Sequence, residues 1–157
     1  MAYVLQPLLR IRTMREDRAM GELTAAKQAL AAAEEALAAR QHDLVEWEET
    51  KEERRDRIYD TIIGREVSRD QIDLANEGVA RIDEEGVLKA DNVKRAEGVV
   101  KEKTDAADVA RANLNVAIKN RMKIDEHKSV WLAEDAKEQE ARAEGELEDF
   151  IVRKEEI

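Results

Sequence analysis

Two histidines, His42 and His127, and 37 acidic side chains are the groups in this 157-residue chain best suited to metal ligation or proton transfer. A zinc site needs three or four His, Cys or carboxylate ligands converging on one point. General acid or base catalysis needs a carboxylate in a pocket that shifts its pKa. Neither condition is met by the spacing. His42 and His127 fall in segments that do not meet, and His127, next to Glu126, has no second ligand at helical spacing that is not equally well explained as surface charge. The six glycines, Gly21, Gly64, Gly78, Gly86, Gly98 and Gly145, are isolated, and none opens a Gly-Lys-Ser/Thr phosphate loop. There is no cysteine, so nucleophilic thiols, thiolate metal sites and disulfides are excluded. The expectation is a non-enzymatic protein without catalytic residues, cofactor or metal.

The elements that carry these residues follow from composition. Alanine contributes 24 residues, whereas Leu, Ile, Val and Phe together make up about 22% of the chain, near the level below which a charged sequence stays disordered. Ala, Glu, Lys, Leu and Arg account for about 55%, the composition of coiled coils and long helices. A net charge of −10 opposes binding to a phosphate backbone, so nucleic acid is not expected as a partner. No run of 18 apolar residues is present, and Leu8–Leu9 is followed at once by Arg10, Arg12 and Arg15, so neither membrane insertion nor a secretory signal is expected. A cytoplasmic, soluble protein fits these features.

Periodicity supplies the architecture. Leu23, Leu30, Leu37, Leu44, Lys51 and Ile58 recur every seven residues, interleaved with Ala26, Ala33, Arg40, Trp47, Arg54 and Thr61. This is an a/d seam, its Leu-plus-Ala pairing makes a narrow stripe, and it suits two closely approaching helices. Pro7 fits the first turn of a helix, and helix one is expected over about 7–63. Gly64 then offers a left-handed stop, and Ser68 with Gln71 has capping-box spacing, which places a turn at 64–68.

A second seam follows: Ile72, Val79, Gly86, Val93, Val100, Ala107 and Leu114, interleaved with Ala75, Ile82, Lys89, Ala96, Lys103, Ala110, Ala117 and Ile124. Helix two is expected over about 69–152, with Gly78, Gly86 and Gly98 as its weakest points at up to about 1 kcal/mol each. The chain is therefore predicted to be all-α, a single elongated antiparallel two-helix coiled-coil hairpin with a C-terminal overhang, monomeric in isolation. The break at 64–68 disfavours a parallel dimer of one continuous helix.

Folding about residue 66 sets residue i opposite about 132 − i. Trp47 then meets Gly86, so that an indole is accommodated without parting the helices. Trp131 falls level with the chain start and is expected to pack on Tyr3, Leu5 and Leu8. Beyond it about 25 residues overhang, with an apolar stripe of Leu132, Ala136, Ala143, Leu147 and Phe150. In the body, Glu77/Arg81, Glu85/Lys89, Asp91/Arg95 and Glu97/Lys101 are favourable i,i+4 pairs. From Leu132 to Ile157 there are ten acidic and four basic residues, with like charges paired at Glu134/Glu138, Glu140/Glu144 and Glu144/Glu148. Such a helix is marginal alone, and its stripe suits burial by a partner.

The two ends of the chain resemble a known family. Tyr3-Val4-Leu5-Gln6-Pro7-Leu8-Leu9-Arg10-Ile11-Arg12, continuing Met14-Arg15-Glu16-Asp17-Arg18-Ala19, resembles the start of the type III secretion stalk proteins of the YscO/SctO family. His127-Lys128-Ser129-Val130-Trp131, with the acidic Glu134-Asp135-Ala136-Lys137-Glu138-Gln139-Glu140-Ala141-Arg142, is similar to that family's C-terminal part. The resemblance implies a cytoplasmic, FliJ-like stalk at the inner membrane that binds the hexameric export ATPase, links it to the export gate and, in some members, escorts chaperones. It makes Arg10, Arg12, Arg15, Arg18, Glu134, Glu138, Glu140, Arg142, Leu147 and Phe150 candidate partner-binding residues. Trp47, Gly86, Trp131, Gly64 and Ser68 are the structural candidates. The alternative is a generic cytoplasmic coiled-coil adaptor or holdase chaperone unrelated to secretion.

Overall fold

The computed structural model describes residues 1–156. Two long helices, α1 (Gln6–Asp60) and α2 (Arg69–Glu155), pack against each other as an all-α helical hairpin. α1 ends three residues before the expected Ile63. The Thr61 hydroxyl takes the Ile58 carbonyl at 2.6 Å, and the following amides tighten into short-range bonds to Ile58 and Tyr59. A threonine that serves its own backbone competes with the helical ladder and ends it early. Gly64 then adopts φ +72°, the left-handed conformation that only glycine enters without a Cβ penalty. Ser68 and Gln71 close a reciprocal capping box: the Ser68 amide donates to Gln71 Oε1 at 2.9 Å, and the Gln71 amide donates to Ser68 Oγ at 3.3 Å.

Contacts divide the chain into two compact units, one comprising Met1–Leu23 with Val109–Ile157 and the other Thr24–Asp108. In the second unit the buried residues are small or at the seam: Ala33, Ala75, Ile82, Gly86 and Ala107. In the first, Tyr3, Ala19 and Leu23 are buried. Each helix faces one neighbour, so among the described residues no side chain is wholly enclosed. The heptad positions come out buried or half-buried, with three exceptions: Arg40, Thr61 and Ile72. Thr61 lies past the end of α1, Ile72 lies in the first turn of α2 where α1 no longer covers it, and Arg40 carries its guanidinium to water.

α2 runs unbroken through Gly78, Gly86 and Gly98. Two of these glycines are packing sites. A Cβ on Gly78 would come within 3.2 Å of Ile58 Cδ1, and one on Gly86 would overlap the Trp47 ring, whereas one on Gly98 would meet nothing within 4 Å.

Candidate interaction surfaces of the two units

In unit Thr24–Asp108 the seam is fastened by polar side chains that cross between the helices. The Trp47 indole donates from Nε1 to the Ile82 carbonyl at 3.0 Å, and Lys51 Nζ lies 4.9 Å from the Trp47 ring. Arg54 donates to Glu85 Oε2 at 2.7 Å, Lys89 Nζ approaches Glu85 Oε1 at 3.4 Å, and Arg55 pairs with Asp83. The hydrogen bond from Arg54 holds the Glu85 carboxyl below the usual carboxylate value, against the opposing effect of burial. The bond to Asp83 raises the Arg55 guanidinium above its ordinary value in the same way.

Of the four i,i+4 pairs expected along α2, Glu85/Lys89 is closed, and among the described residues the other three are not. Exposed pairs gain too little to hold two long side chains in one geometry. Near the turn, Ile58, Ile62, Val67, Leu74, Ala75 and Gly78 line an apolar groove of about 440 Å³.

In unit Met1–Leu23 with Val109–Ile157, Tyr3 is the anchor. It is 7% exposed, its hydroxyl is hydrogen-bonded to His127 Nδ1 at 2.7 Å, and its ring tilts against that of Trp131 with centroids 5.3 Å apart. Lys128 Nζ donates to Gln6 Oε1 at 2.8 Å. Nearly two turns further along α1, Arg12 donates to the Asn120 carbonyl at 3.0 Å, and Arg121 joins Glu16 to Asp125. The packing of Trp131 on Tyr3 is as the sequence led one to expect, whereas the polar bonds around it, that of His127 included, were not foreseen. Counting back from residue 66 sets Tyr3 opposite residue 129, two residues from His127, and that pairing was the signal available.

The partner-binding candidates separate into engaged and exposed sets. Arg12 is committed to α2, and its Nε is buried without a hydrogen-bond partner, so it does not present itself to a partner. Arg18 pairs with Glu22 at 3.2 Å on the surface. Arg10 and Arg15 are exposed and make no ion pair among the described residues. Beside them Val4, Ile11 and Met14 are 81%, 46% and 69% exposed, so Ile11 is a surface residue and not a packing one.

From Ala136 to Glu156 every residue is exposed. Glu134, Glu138, Glu140 and Arg142 face solvent, and Leu147, Phe150, Ile151 and Val152 are 54–63% exposed. α2 nevertheless stays helical to Glu155. It extends a segment that α1 already supports, so no new nucleus has to form.

Among the described residues no three His, Asp or Glu side chains are placed to hold a metal ion, and no helix is long and apolar enough to cross a membrane. The arrangement offers charged, partly apolar helix faces, which is the chemistry of binding another protein.

Comparison with known proteins bears on which protein that is. The family described as Type III secretion protein YscO matches residues 5–153. A solved structure from Chlamydia trachomatis, described as that of a YscO homolog, superposes with a TM-score of 0.74 at 20% identity, over 96% of this chain and 92% of that one. The likeness at that identity is one of fold. No functionally curated protein matches the chain.

Proposed function

This chain belongs to the YscO family of type III secretion proteins, and from that premise we propose that it is the non-enzymatic central stalk of a secretion export apparatus. In this reading it is cytoplasmic, sits peripherally at the inner membrane, binds the hexameric export ATPase, and links it to the export gate. The observation that carries the proposal is the family match over 5–153 on a helical hairpin whose Met1–Leu23/Val109–Ile157 unit leaves charged faces uncovered. Arg10, Arg15 and Arg18 on α1, with Glu134, Glu138, Glu140, Arg142, Leu147 and Phe150 on α2, form the binding set. Complementary charge orients a rod against a ring, and the exposed apolar side chains supply area once it is seated. Escort of secretion chaperones is a further role in the same reading. Membership of a secretion family sets aside the generic adaptor or holdase unrelated to secretion.

The test is to mix the purified chain with its cognate export ATPase. Hydrolysis and hexamer formation are expected to rise, and to fall back when Leu147 and Phe150 are both changed to Asp. Absence of binding at low salt, where charge attraction is least screened, overturns the proposal.

A further inference from the structure

The unit Met1–Leu23/Val109–Ile157 carries two uncovered helix faces of opposite character. On α1, Pro7, Ile11, Met14 and Arg18 recur at helical three-and-four spacing with Val4 just ahead of them, and Arg10 and Arg15 flank the stripe. Val4, Ile11 and Met14 stay 81%, 46% and 69% exposed. On α2, Ala136, Ala143, Leu147, Phe150 and Ile151 share a face that also holds Glu140 and is flanked on its two sides by Glu144 and Glu146, within a stretch of net charge −6. Among the described residues nothing covers either stripe.

We propose that a second copy of this chain covers them, the acidic α2 end of each copy lying on the arginine-flanked α1 face of the other. Like faces cannot pair, because two acidic ends brought together place carboxylate against carboxylate. Opposite faces can, and the lengths allow it: at 1.5 Å per residue the apolar run Ala143–Ile151 spans about 14 Å, which fits along the roughly 20 Å of Gln6–Arg18. With a two-fold axis each copy gives one α2 end and receives one, which closes the assembly at two. The apolar side chains meet at the centre, with Arg10 and Arg15, on the two sides of the α1 stripe, set against Glu144 and Glu146, on the two sides of the α2 stripe. The monomer expected from the hairpin alone is then the high-salt form. The inference is independent of the ATPase reading, although the two share residues, so pairing would hide this surface until a stronger partner displaced the second copy.

Sedimentation of the full chain at roughly 50 mM and about 1 M salt tests it, since the Debye length shrinks severalfold between them. The expected mass is twice 17.9 kDa at low salt and 17.9 kDa at high salt. The pairs Leu147→Asp/Phe150→Asp and Arg10→Glu/Arg15→Glu should each give the single mass at low salt. Their circular dichroism and melting should be unchanged, because all four positions are exposed. A chain with Arg10→Glu/Arg15→Glu and Glu144→Arg/Glu146→Arg together should regain the double mass. A single mass for the unaltered chain at both salts overturns the proposal. So does a double mass that survives either pair of changes, or a swapped chain that stays single. ATPase stimulation by the unaltered chain, measured separately, tells failure of this pairing from failure of the stalk reading.

Discussion

The Trp47 indole occupies the space that a side chain on Gly86 would need: a Cβ built there would come within 2.6 Å of Cε2, and the ring's Nε1 reaches past it to the Ile82 carbonyl at 3.0 Å. The largest side chain of the seam is thus seated on bare backbone, and the bond its indole makes is to the first turn before that gap.

Gly86→Ala is expected to destabilise the chain by about 1–3 kcal/mol despite alanine's higher helix propensity, because overpacking outweighs the propensity gain. Gly98→Ala, where the new methyl meets nothing within 4 Å, should stabilise by about 0.5–1 kcal/mol. Urea unfolding of the two variants checks the opposite signs. Combining Gly86→Ala with Trp47→Ala should cost less than the sum of the two single changes, since the clash vanishes with the ring.

Acid should weaken the Thr24–Asp108 unit through Glu85. The Arg54 hydrogen bond keeps its folded pKa below the unfolded value, so the pair contributes stability above the ordinary carboxylate range and loses it as pH falls through the lower folded value. The pair is about a third exposed, so the contribution is at most about 1 kcal/mol. Melting curves from pH 7 down to about pH 3 should show a shallower acid limb in Glu85→Gln than in the unaltered chain.

Ser68→Ala removes the acceptor for the Gln71 amide at the start of α2 and should cost about 1 kcal/mol. Gln71→Ala removes the acceptor for the Ser68 amide on the other side of the box and should cost less, because Ser68 is exposed and water replaces the bond. Equal losses in urea midpoint would contradict that order.

Tyr3→Phe keeps the ring on Trp131 and deletes the hydroxyl bond to His127. The expected loss is about 0.5–1.5 kcal/mol. It should appear as faster amide exchange in the first turns of α1, with amides of the Thr24–Asp108 unit unchanged. Uniform acceleration throughout the chain would show that Tyr3 does more than fasten the N-terminal segment.

Fold class, the two seams, the turn residues and the family were legible because they depend on local order. Heptad spacing follows from 3.6 residues per turn, Gly64 and Ser68 act on their own neighbours, and the opening block of residues is a linear pattern. Pairing by simple counting also brought Trp47 to Gly86. It did not foresee that Arg12 would be spent on the Asn120 carbonyl, that Arg54, Arg55 and Arg121 would bridge helices while three of four i,i+4 pairs stayed apart, or that His127 would hold Tyr3. These outcomes depend on which long side chain reaches which acceptor across a gap, and seven-residue spacing carries no information about reach.

Composition and periodicity by themselves determined that this chain would be two helices joined by one turn, because each helix hides a stripe too narrow for any other partner than a close helix. Only the tertiary structure decided which charges are consumed inside the units and which remain for another molecule. Burial against a neighbouring helix removes Arg12 from the surface and leaves Arg10, Arg15, Leu147 and Phe150 on it. A charge's availability is set by what lies within a few ångströms of it, and in this hairpin that neighbour comes from 28 residues away at Arg55/Asp83 and from 108 at Arg12/Asn120.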